Sequence, residues 1–343
     1  TFKLSLTTPN FQLMPTGVRS RKRAGSGGTS DEQDSKDGKQ QSPRRVAALL
    51  GVFSILAGFA GQWFLNRPAN SQKAVGPEVY AFDLVQTYQH DPEAFTQGLL
   101  WSNGSLYEST GLYGRSSIRE LRLGPGGTVQ LIRKLDLDGR EFGEGLVQKR
   151  GQLLQLLWRR GEGIRYEAIA GDRGKLKKTG KFRTPLSDGW GIEFDKDEVL
   201  VTDSGSELIT LDQNFGVVKR VTVKDGDQAV EMINELEMIG DELWANVYGT
   251  ECIARIHKQS GSVAGWVLLH GLLDQERAAW EAGNAGPEPP DVLNGIAWDP
   301  DSGRLFVTGK LWPHMYEIKV RPSRVSLDEA RRACIPRTNL FRR

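Results

Sequence analysis

The sequence predicts an all-β fold, a five-bladed β-propeller, preceded by one N-terminal transmembrane helix. Three observations support this prediction. Short apolar-alternating segments broken by Gly, Asp and Asn fill the chain beyond residue 78, as is typical of many short strands joined by tight turns. A weak repeat recurs about every 45 residues, the length of a four-stranded propeller blade. Residues 46–65 form an uncharged run of 20 residues.

The N-terminal part has the composition of a membrane-anchored tail. Residues 1–45 are polar and lack apolar periodicity, so we expect a disordered segment. As a helix, residues 46–65 would span roughly 30 Å, the thickness of a bilayer core. Arg and Lys are concentrated before this run. This asymmetry predicts a single-pass protein of the ER or Golgi membrane, with a cytosolic N-terminus and a lumenal C-terminal domain.

Two features of this region allow alternatives. A cleaved signal peptide, with Gly58 and Ala60 as small residues at the cut, is the alternative to a retained signal-anchor. The chain does not begin with Met, and Met14 is a candidate start. Residues 66–78 are expected to be a linker.

The overall composition is that of a globular protein. Charged residues make up 26% of the 343 residues and hydrophobic residues 38%. The net charge of +2 gives no reason to expect nucleic acid as a partner, and we expect a monomer. The 40 glycines and nine tryptophans suit an all-β fold with many turns and spaced aromatic residues.

Two features bear on the compartment. Cys252 and Cys334 are the only cysteines, and no CxxC or metal-ligand motif is present. In an oxidising lumen they can form one disulfide that ties the C-terminal tail to the domain; two free buried thiols are the alternative. Asn103 begins the one N-glycosylation sequon, in a turn between two strand-like segments, so a glycoprotein is expected.

The repeat consists of five related units. Each opens with a small or polar residue before an apolar one, then passes through a turn into a second apolar strand. The openings are Gly98-Leu99, Gly145-Leu146, Gly191-Ile192, Glu235-Leu236 and Gly295-Ile296, spaced by 47, 46, 44 and 60 residues. The longest spacing contains an insertion at residues 274–291. Five units of four strands predict five blades.

The ends of the repeat predict how the ring closes. The last unit, residues 294–320, is about one strand short, and residues 79–88 form a lone strand before the first unit. We infer that this strand completes the fifth blade and removes the exposed sheet edges. The domain then covers residues 79–320. Residues 321–343 are a tail with a short helix at 326–334, and no long amphipathic helix is predicted before it.

Unusual residues lie beside the repeated apolar positions. Because the inner strands of a propeller begin near one mouth of the central channel, these residues should converge. They are Phe95, Gln97, Phe142, Glu144, Trp190, Asn234 and Asn294, joined at nearby strand ends by Trp158, Tyr248, Lys310 and Trp312. Taken singly, Glu144 is explained as a solvated carboxylate, Trp190 as blade packing and Lys310 as a surface charge. Their shared placement instead predicts an aromatic-walled pocket for a small ligand.

Seven motifs follow one another in order: FTQGL at 95–99, YESTG at 107–111, FGEG at 142–145, DGWG at 188–191, NELE at 234–237, NGIAWD at 294–299 and TGKLW at 308–312. Together they resemble plant-type glutaminyl-peptide cyclotransferases over about residues 80–320. The resemblance implies a five-bladed β-propeller. It also implies conversion of the N-terminal Gln of peptides or proteins to pyroglutamate, with release of ammonia.

The resemblance also implies roles for single residues. Glu144 matches the proton-transferring carboxylate, and Asn234 and Lys310 match polar groups that bind the substrate amide. The matched pocket wall consists of Phe95, Gln97, Phe142, Trp158 and Trp190. Tyr248 stands where the family usually has Trp, so the aromatic face is kept while area is lost and a hydroxyl is added. This departure bears on the depth of the pocket rather than on the reaction.

No catalytic metal or cofactor is expected, since no histidines are paired at ligand spacing. A structural ion such as calcium in the channel stays open, with Asn, Asp or carbonyl oxygens as ligands. Two other functions also stay open. One is a lactonase-like metallohydrolase that binds a divalent ion through Glu144, Asn234 and Asn294. The other is a non-catalytic lumenal binding propeller.

Overall fold

The computed structural model describes residues 76–167, 176–283 and 286–336. The predicted tail at 1–45, the predicted membrane helix at 46–65 and most of the linker at 66–78 lie outside the described residues. Among the residues that are described, no helix is long and apolar enough to cross a membrane. The predicted all-β class is confirmed, because strands dominate the described chain and helices are few and short.

Three four-stranded antiparallel sheets follow one another along the chain. The first contains β2 (Thr96–Ser102), β3 (Ser105–Thr110), β4 (Ser117–Leu123) and β5 (Val129–Asp136). The second contains β6 (Gly143–Lys149), β7 (Gln152–Leu157), β8 (Glu162–Glu167) and β9 (Lys177–Arg183). The third contains β10 (Ile192–Asp195), β11 (Glu198–Val201), β12 (Glu207–Leu211) and β13 (Val217–Thr222).

The remaining strands form one ten-stranded sheet. Its first half contains β16 (Ile233–Ile239), β17 (Glu242–Val247), β18 (Cys252–His257) and β19 (Ser262–Leu268). Its second half contains β20 (Leu293–Asp299), β21 (Arg304–Gly309), β22 (His314–Pro322) and the N-terminal strand β1 (Glu78–Gln89). The short strands β14 (Lys224–Asp225) and β15 (Gln228–Ala229) pair with each other beside β19.

Strand β1 links the two ends of the domain. It pairs antiparallel with β22 along nearly its whole length, which agrees with the pairing expected for the segment before the first repeat unit. Its first residues also pair in parallel with β19, and this contact joins the two halves of the large sheet. The first strands of the units contact each other in the cyclic order β2, β6, β10, β16, β20 and back to β2. The fold is therefore propeller-like.

The repeated glycines lie where these first strands approach each other most closely. The Gly145 N–H donates to the carbonyl of Trp190 at 2.8 Å, and a Cβ on Gly145 would lie 2.6 Å from the same oxygen. A Cβ on Gly191 would lie 2.1 Å from the carbonyl oxygen of Asn234. Since real Cβ contacts are longer, only glycine allows this separation. Glu235 replaces glycine in the fourth unit, and its carboxylate accepts from the amides of Leu99 at 3.3 Å and Ile296 at 2.9 Å.

The hydrophobic core lies between neighbouring sheets. Leu154 and Leu156 of β7 pack in one cluster with Ile192 of β10 and Val199 of β11. All four side chains are at most 1% exposed. Because each sheet buries one face against the next, the core continues from unit to unit and holds the inner strands in place.

Two α-helices and one 3₁₀ turn (Pro125–Gly127) accompany the strands of the described chain. Helix α1 (Leu272–Glu281) overlaps the start of the insertion, where the sequence analysis predicts no long amphipathic helix. Its Leu, Gln, Glu, Arg and Ala content favours a helix. Helix α2 (Leu327–Cys334) lies in the predicted tail, and the Ser326 hydroxyl caps it by accepting from the Glu329 amide at 3.3 Å. Of the two states left open for the cysteines, the structure has the disulfide Cys252–Cys334.

Candidate active site

One cavity of about 180 Å³ opens at the mouth of the ring formed by the first strands. Nine residues line it, and every unit of the repeat contributes at least one of them. They are Phe95, Gln97, Phe142, Glu144, Trp158, Trp190, Asn234, Tyr248 and Lys310. All nine belong to the eleven residues that the sequence analysis predicts to converge at the mouth; the other two, Asn294 and Trp312, are not in the lining.

Three of the four polar residues of the lining lie in β-bulges. In β6, Glu144 and Gly145 stand opposite one residue of β7, because the register shifts between Gly143 and Leu146. Asn234 has the same position in β16, and Gln97 lies at a register shift in β2. A bulge interrupts the alternation of side chains and redirects one of them. The repeated bulge therefore turns Gln97, Glu144 and Asn234 toward the mouth.

The other lining residues lie at the ends of strands. Trp158, Tyr248 and Lys310 each directly follow the second strand of a unit, β7, β17 and β21. Backbone hydrogen bonds hold these positions to the segment before the first strand. The Trp158 amide donates to the Phe142 carbonyl at 3.0 Å, and the Lys310 amide donates to the Val292 carbonyl at 2.9 Å. Equivalent positions in different units thus supply equivalent parts of the wall.

The lining separates into a buried polar floor and an aromatic rim. Gln97, Glu144, Asn234 and Lys310 are each at most 4% exposed. The rim residues Phe95, Trp158, Trp190 and Tyr248 are partly exposed, and Phe142 is buried between floor and rim. A ligand that enters this cavity therefore places its deepest atoms against polar groups and is surrounded by rings nearer the solvent.

Glu144 is a buried carboxyl with little to stabilise its charge. Burial raises the pKa of Glu144 well above its usual range; Lys310 lowers the pKa and Asp188 raises it further. Its backbone is held by the Ser109 hydroxyl, which donates to the Glu144 carbonyl. Gln155 in turn donates to the Ser109 hydroxyl at 2.6 Å. A fixed carboxyl with a raised pKa is suited to exchange protons near neutral pH.

Lys310 is the cation of the floor. Burial lowers the pKa of Lys310 to about 8, against the opposing effects of Glu144 and Asp291. Its Nζ lies 4.9 Å from the ring centroids of both Phe95 and Tyr248. Cation–π contacts of this kind stabilise the ammonium form where carboxylates are few.

The aromatic wall is continuous on one side of the cavity. The ring centroids of Phe142 and Trp158 are 5.2 Å apart, and those of Phe95 and Phe142 are 6.2 Å apart. On the other side, Trp190 and Tyr248 are separated by 5.7 Å. These spacings are typical of packed aromatic pairs, so the rings form a stiff enclosure rather than independent side chains.

Of three further polar groups in or beside the cavity, only Asp188 has no role in the sequence analysis. Asp188, in the DGWG motif, accepts a hydrogen bond from Trp158 Nε1 at 2.7 Å and thereby orients the indole. Asn294, predicted as part of the convergent ring, lies behind the wall: its Nδ2 donates to the Thr96 carbonyl at 3.1 Å and to Gln97 Oε1 at 3.4 Å. Within the described chain, the buried Asn234 Oδ1 accepts no hydrogen bond.

Trp312 is not in the lining, contrary to the expectation that it lies at the mouth with Lys310. Its side chain is fully buried, and its Nε1 donates to the Asp291 carbonyl at 2.8 Å. The intervening Leu311 has φ 61°, which bends the chain so that positions 310 and 312 do not face the same way.

Possible metal ligands are not clustered in the described residues, where no group of three or more His, Cys, Asp or Glu side chains has a metal-binding arrangement. The cavity floor instead offers one carboxyl, two amides and one ammonium. This set can bind an amide and an amine, and it can move a proton between them.

Known proteins match the chain over most of its length. Residues 59–320 match the family model described as glutamine cyclotransferase. A glutaminyl-peptide cyclotransferase of Arabidopsis thaliana is 38% identical over 285 residues, which cover 81% of this chain and 85% of the plant protein. The crystal structure of Myxococcus xanthus glutaminyl cyclase matches with a TM-score of 0.63 and 31% identity, covering 72% of this chain and 99% of the bacterial one. The resemblance seen in the sequence motifs is thus confirmed, and the chain belongs to the glutamine cyclotransferase family.

Proposed function

We propose that this protein is a glutaminyl-peptide cyclotransferase, an acyltransferase that converts the N-terminal Gln of peptides or proteins to pyroglutamate and releases ammonia. One observation carries the proposal: a buried carboxyl of raised pKa, Glu144, shares an aromatic-walled cavity with a buried ammonium, Lys310. Membership of the family agrees with this activity.

The reaction joins two groups of one substrate residue. The α-amine attacks the side-chain amide carbon, the new C–N bond closes a five-membered lactam, and the original C–N bond breaks to release ammonia. Proximity is supplied by the substrate once its side chain is folded back. The aromatic enclosure holds that conformer and excludes water, which would otherwise hydrolyse the amide. Since an α-amine has a pKa near about 8, a useful fraction is already neutral at pH 7.

Proton transfer to the leaving nitrogen is the step that needs the protein. An amide nitrogen leaves poorly unless it is protonated. Glu144 accepts the proton lost by the attacking amine and donates it to the departing nitrogen. A carboxyl with its ordinary pKa is almost fully ionised at neutral pH and is a weak base. The raised pKa of Glu144 makes its carboxylate a stronger base and increases the fraction of the proton-donating form.

The other residues of the floor bind the side-chain amide of the substrate Gln. The carbonyl oxygen gains negative charge during attack, and the Lys310 ammonium is the floor group that opposes it. Asn234 Oδ1 is a buried acceptor without a protein donor in the described chain, so it suits an N–H of the substrate. The chemistry calls for no metal or cofactor, although a structural channel ion would be compatible with it.

The decisive experiment is turnover of a Gln-initiated peptide by the purified lumenal domain. Mass spectrometry should detect loss of one ammonia from the peptide. A peptide with N-terminal Asn in place of Gln serves as the control, because its shorter side chain cannot form the same ring. EDTA should leave the rate unchanged, whereas a lactonase-like metallohydrolase would be inactivated. A non-catalytic binding propeller would bind the peptide and leave its mass unaltered.

We also propose five blades for the domain. Three of them are the four-stranded sheets that begin at β2, β6 and β10. The fourth contains β16, β17, β18 and β19 of the ten-stranded sheet, and the fifth contains β20, β21, β22 and β1. Support comes from the five equivalent bulge or turn positions around the cavity and from the cyclic contacts of the first strands. The first strand of the chain then covers the edge of β22 and supplies the fourth strand of the last blade.

The proposed setting is a secretory-pathway membrane. The uncharged run at residues 46–65 would anchor a monomeric, glycosylated enzyme with its domain in the lumen of the ER or Golgi. The disulfide supports an oxidising compartment. Protease treatment of intact microsomes should leave the domain protected, and carbonate washing should leave it in the membrane. Release by carbonate would favour a cleaved signal peptide.

A further inference from the structure

Tyr113 is an exposed aromatic residue attached to the wall of the cavity. In the described part of the chain, the exposed large hydrophobic side chains are Leu84, Val85, Tyr113, Leu131, Val217 and Val218. Among these six, Tyr113 has ring contacts with cavity-lining residues. Its centroid lies 5.5 Å from that of Phe142 and 6.4 Å from that of Trp158. Because the ring packs on two residues of the wall, its exposed part extends the aromatic wall toward the solvent.

The turn that carries Tyr113 is held rigidly. Leu112 has φ 80°, a conformation that costs free energy for a non-glycine residue and persists only where the surroundings impose it. Its carbonyl accepts from the Arg115 amide at 3.0 Å and from the Ser116 hydroxyl at 2.8 Å. The Ser116 hydroxyl also accepts from the Gly143 amide at 3.1 Å, at the start of β6. The turn is therefore fastened to the strand that carries Glu144.

The geometry of the substrate places its second residue near the exposed ring of Tyr113. In an N-terminal Gln, both the α-amine and the side chain take part in the reaction, so both must reach the buried floor. The peptide can leave the cavity only through the α-carbonyl of that Gln. The second residue must then lie outside the aromatic rim, at the level where Tyr113 is exposed beyond Phe142 and Trp158.

We infer that Tyr113 forms a subsite for the second residue of the peptide and that it favours a large apolar or aromatic side chain there. This inference rests on the proposed function. A fixed ring offers a face or an edge to an aromatic partner at little entropic cost. Because the second residue does not react, the contact contributes equally to the ground state and the transition state. It should therefore lower KM and leave kcat unchanged.

Arg159 offers an alternative way to recognise the second residue of the peptide, by charge. Its guanidinium lies 4.3 Å from the centroid of Trp158, and its side chain is 66% exposed. An acidic second residue would be attracted to this charge rather than to the Tyr113 ring. The two forms of recognition predict different substrate orders, so peptides can separate them.

The test compares three amidated tripeptides, Gln-Phe-Ala, Gln-Gly-Ala and Gln-Glu-Ala, in the wild type and in Tyr113→Ala. We expect the wild type to prefer the Phe peptide by about two- to tenfold in kcat/KM, the range of one aromatic contact. Tyr113→Ala should abolish that preference by raising KM for the Phe peptide alone. Tyr113→Phe and the remote exposed control Val218→Ala should keep it.

Three results would overturn the subsite. The first is equal kcat/KM for the Phe and Gly peptides in the wild type. The second is an equal loss for both peptides in Tyr113→Ala, which would mean that the ring only supports the wall. The third is a preference for the Glu peptide. Failure of the wild type to cyclise any of the three peptides would instead overturn the proposed function, and the subsite with it.

Discussion

The imidazole of His90 is bonded to the carboxylate of Glu108 in the protein interior, with Nε2 lying 2.9 Å from Oε1. The other ring nitrogen, Nδ1, lies 2.6 Å from the carbonyl oxygen of Trp312. Since both partners are acceptors, both ring nitrogens carry protons and the ring is an imidazolium. Arg119 lies 3.6 Å from the second oxygen of Glu108, and its own pair is Asp91 at 2.8 Å. This network fastens the turn behind Lys310 to the segment before β2.

The first prediction concerns stability and pH. Burial lowers the pKa of His90, but Glu108 and the Trp312 carbonyl raise it, and the net shift is upward. The stabilisation is therefore fully present below the unfolded-state pKa of about 6.5 and is lost as pH rises through the folded-state pKa. His90→Gln should lower the free energy of unfolding by about 3 kcal/mol near pH 6, because the neutral amide leaves the buried Glu108 carboxylate without the imidazolium.

The measurement is denaturant unfolding of both proteins at about pH 6 and about pH 9. The gap between them should narrow at the higher pH. A gap of equal size at both values would show that His90 is not held as the cation. The titration of Glu108 does not contribute to the difference between about pH 6 and about pH 9. Burial raises its pKa but His90 and Arg119 lower it to about 2, so its contribution is lost only in acid.

The second prediction concerns the disulfide. Cys252 lies in β18 and Cys334 ends α2, so the bond closes a separation of 82 residues and lies outside the cavity lining. Cys334→Ser should lower the free energy of unfolding by about 2–5 kcal/mol, since loop closure no longer restricts the unfolded chain. The kcat should be unchanged. Wild type treated with reductant should show the same loss, and a large fall in kcat would reveal a coupling between α2 and the cavity.

The cavity shows which parts of the site the sequence can predict. Repeat positions alone predict that Phe95 and Lys310 converge, because equivalent points of equivalent units must meet around one axis. Contacts that depend on single torsions were not predictable. In an extended strand, positions 310 and 312 would face the same way, but the φ of 61° at Leu311 turns Trp312 into the core.

Two other features depend on long-range geometry rather than on local pattern. The bulges that redirect Glu144 and Asn234 arise from register with a neighbouring strand, which no single segment of sequence specifies. Helix α1 lies in an insertion rich in Pro and Gly. The composition of the whole insertion therefore predicts a loop, although the run at its start favours a helix. The buried Glu276 of this helix accepts from the Tyr316 hydroxyl, a contact with β22 that only the folded chain creates.

The third prediction concerns the charge of Lys310. Its pKa of about 8 means that the ammonium is lost as pH rises above that value. If the ammonium stabilises the developing oxyanion, kcat should fall on the alkaline side of about pH 8. Lys310→Met should lower kcat by about a hundred- to a thousandfold and remove this alkaline limb. Lys310→Arg should keep its charge over the whole range. An alkaline limb that persists in the Met variant would assign it to another group.

The fourth prediction concerns the aromatic residue that departs from the family pattern. Tyr248 lies 5.7 Å from Trp190 and packs on Lys310, so its ring is part of the enclosure rather than of the proton path. Tyr248→Trp adds area to the wall and should change KM more than kcat in assays with a Gln peptide. Tyr248→Phe is the control for the hydroxyl. A loss of kcat in the Phe variant with KM unchanged would show that the hydroxyl acts in the reaction.

The last prediction concerns Glu144. Glu144→Gln keeps the size of the side chain but cannot accept and return a proton, so kcat should fall by about two to four orders of magnitude. KM should change little. Glu141→Gln is a matched control, because Glu141 is also a buried carboxylate near the start of β6 but pairs with Lys181 at 3.0 Å outside the cavity. Its kcat should stay close to that of the wild type.

Stability separates this role of Glu144 from a structural one. Its folded-state pKa is raised, so its contribution to stability is fully present below the unfolded-state pKa and is lost as pH rises through the folded-state pKa. At neutral pH a buried carboxyl of this kind does not stabilise the fold, and Glu144→Gln should leave Tm unchanged or raise it. A structural or ion-binding carboxylate would instead give a lower Tm or a new dependence on metal. A Glu144→Gln protein with normal Tm that cyclises Gln peptides at the wild-type rate would falsify the assignment.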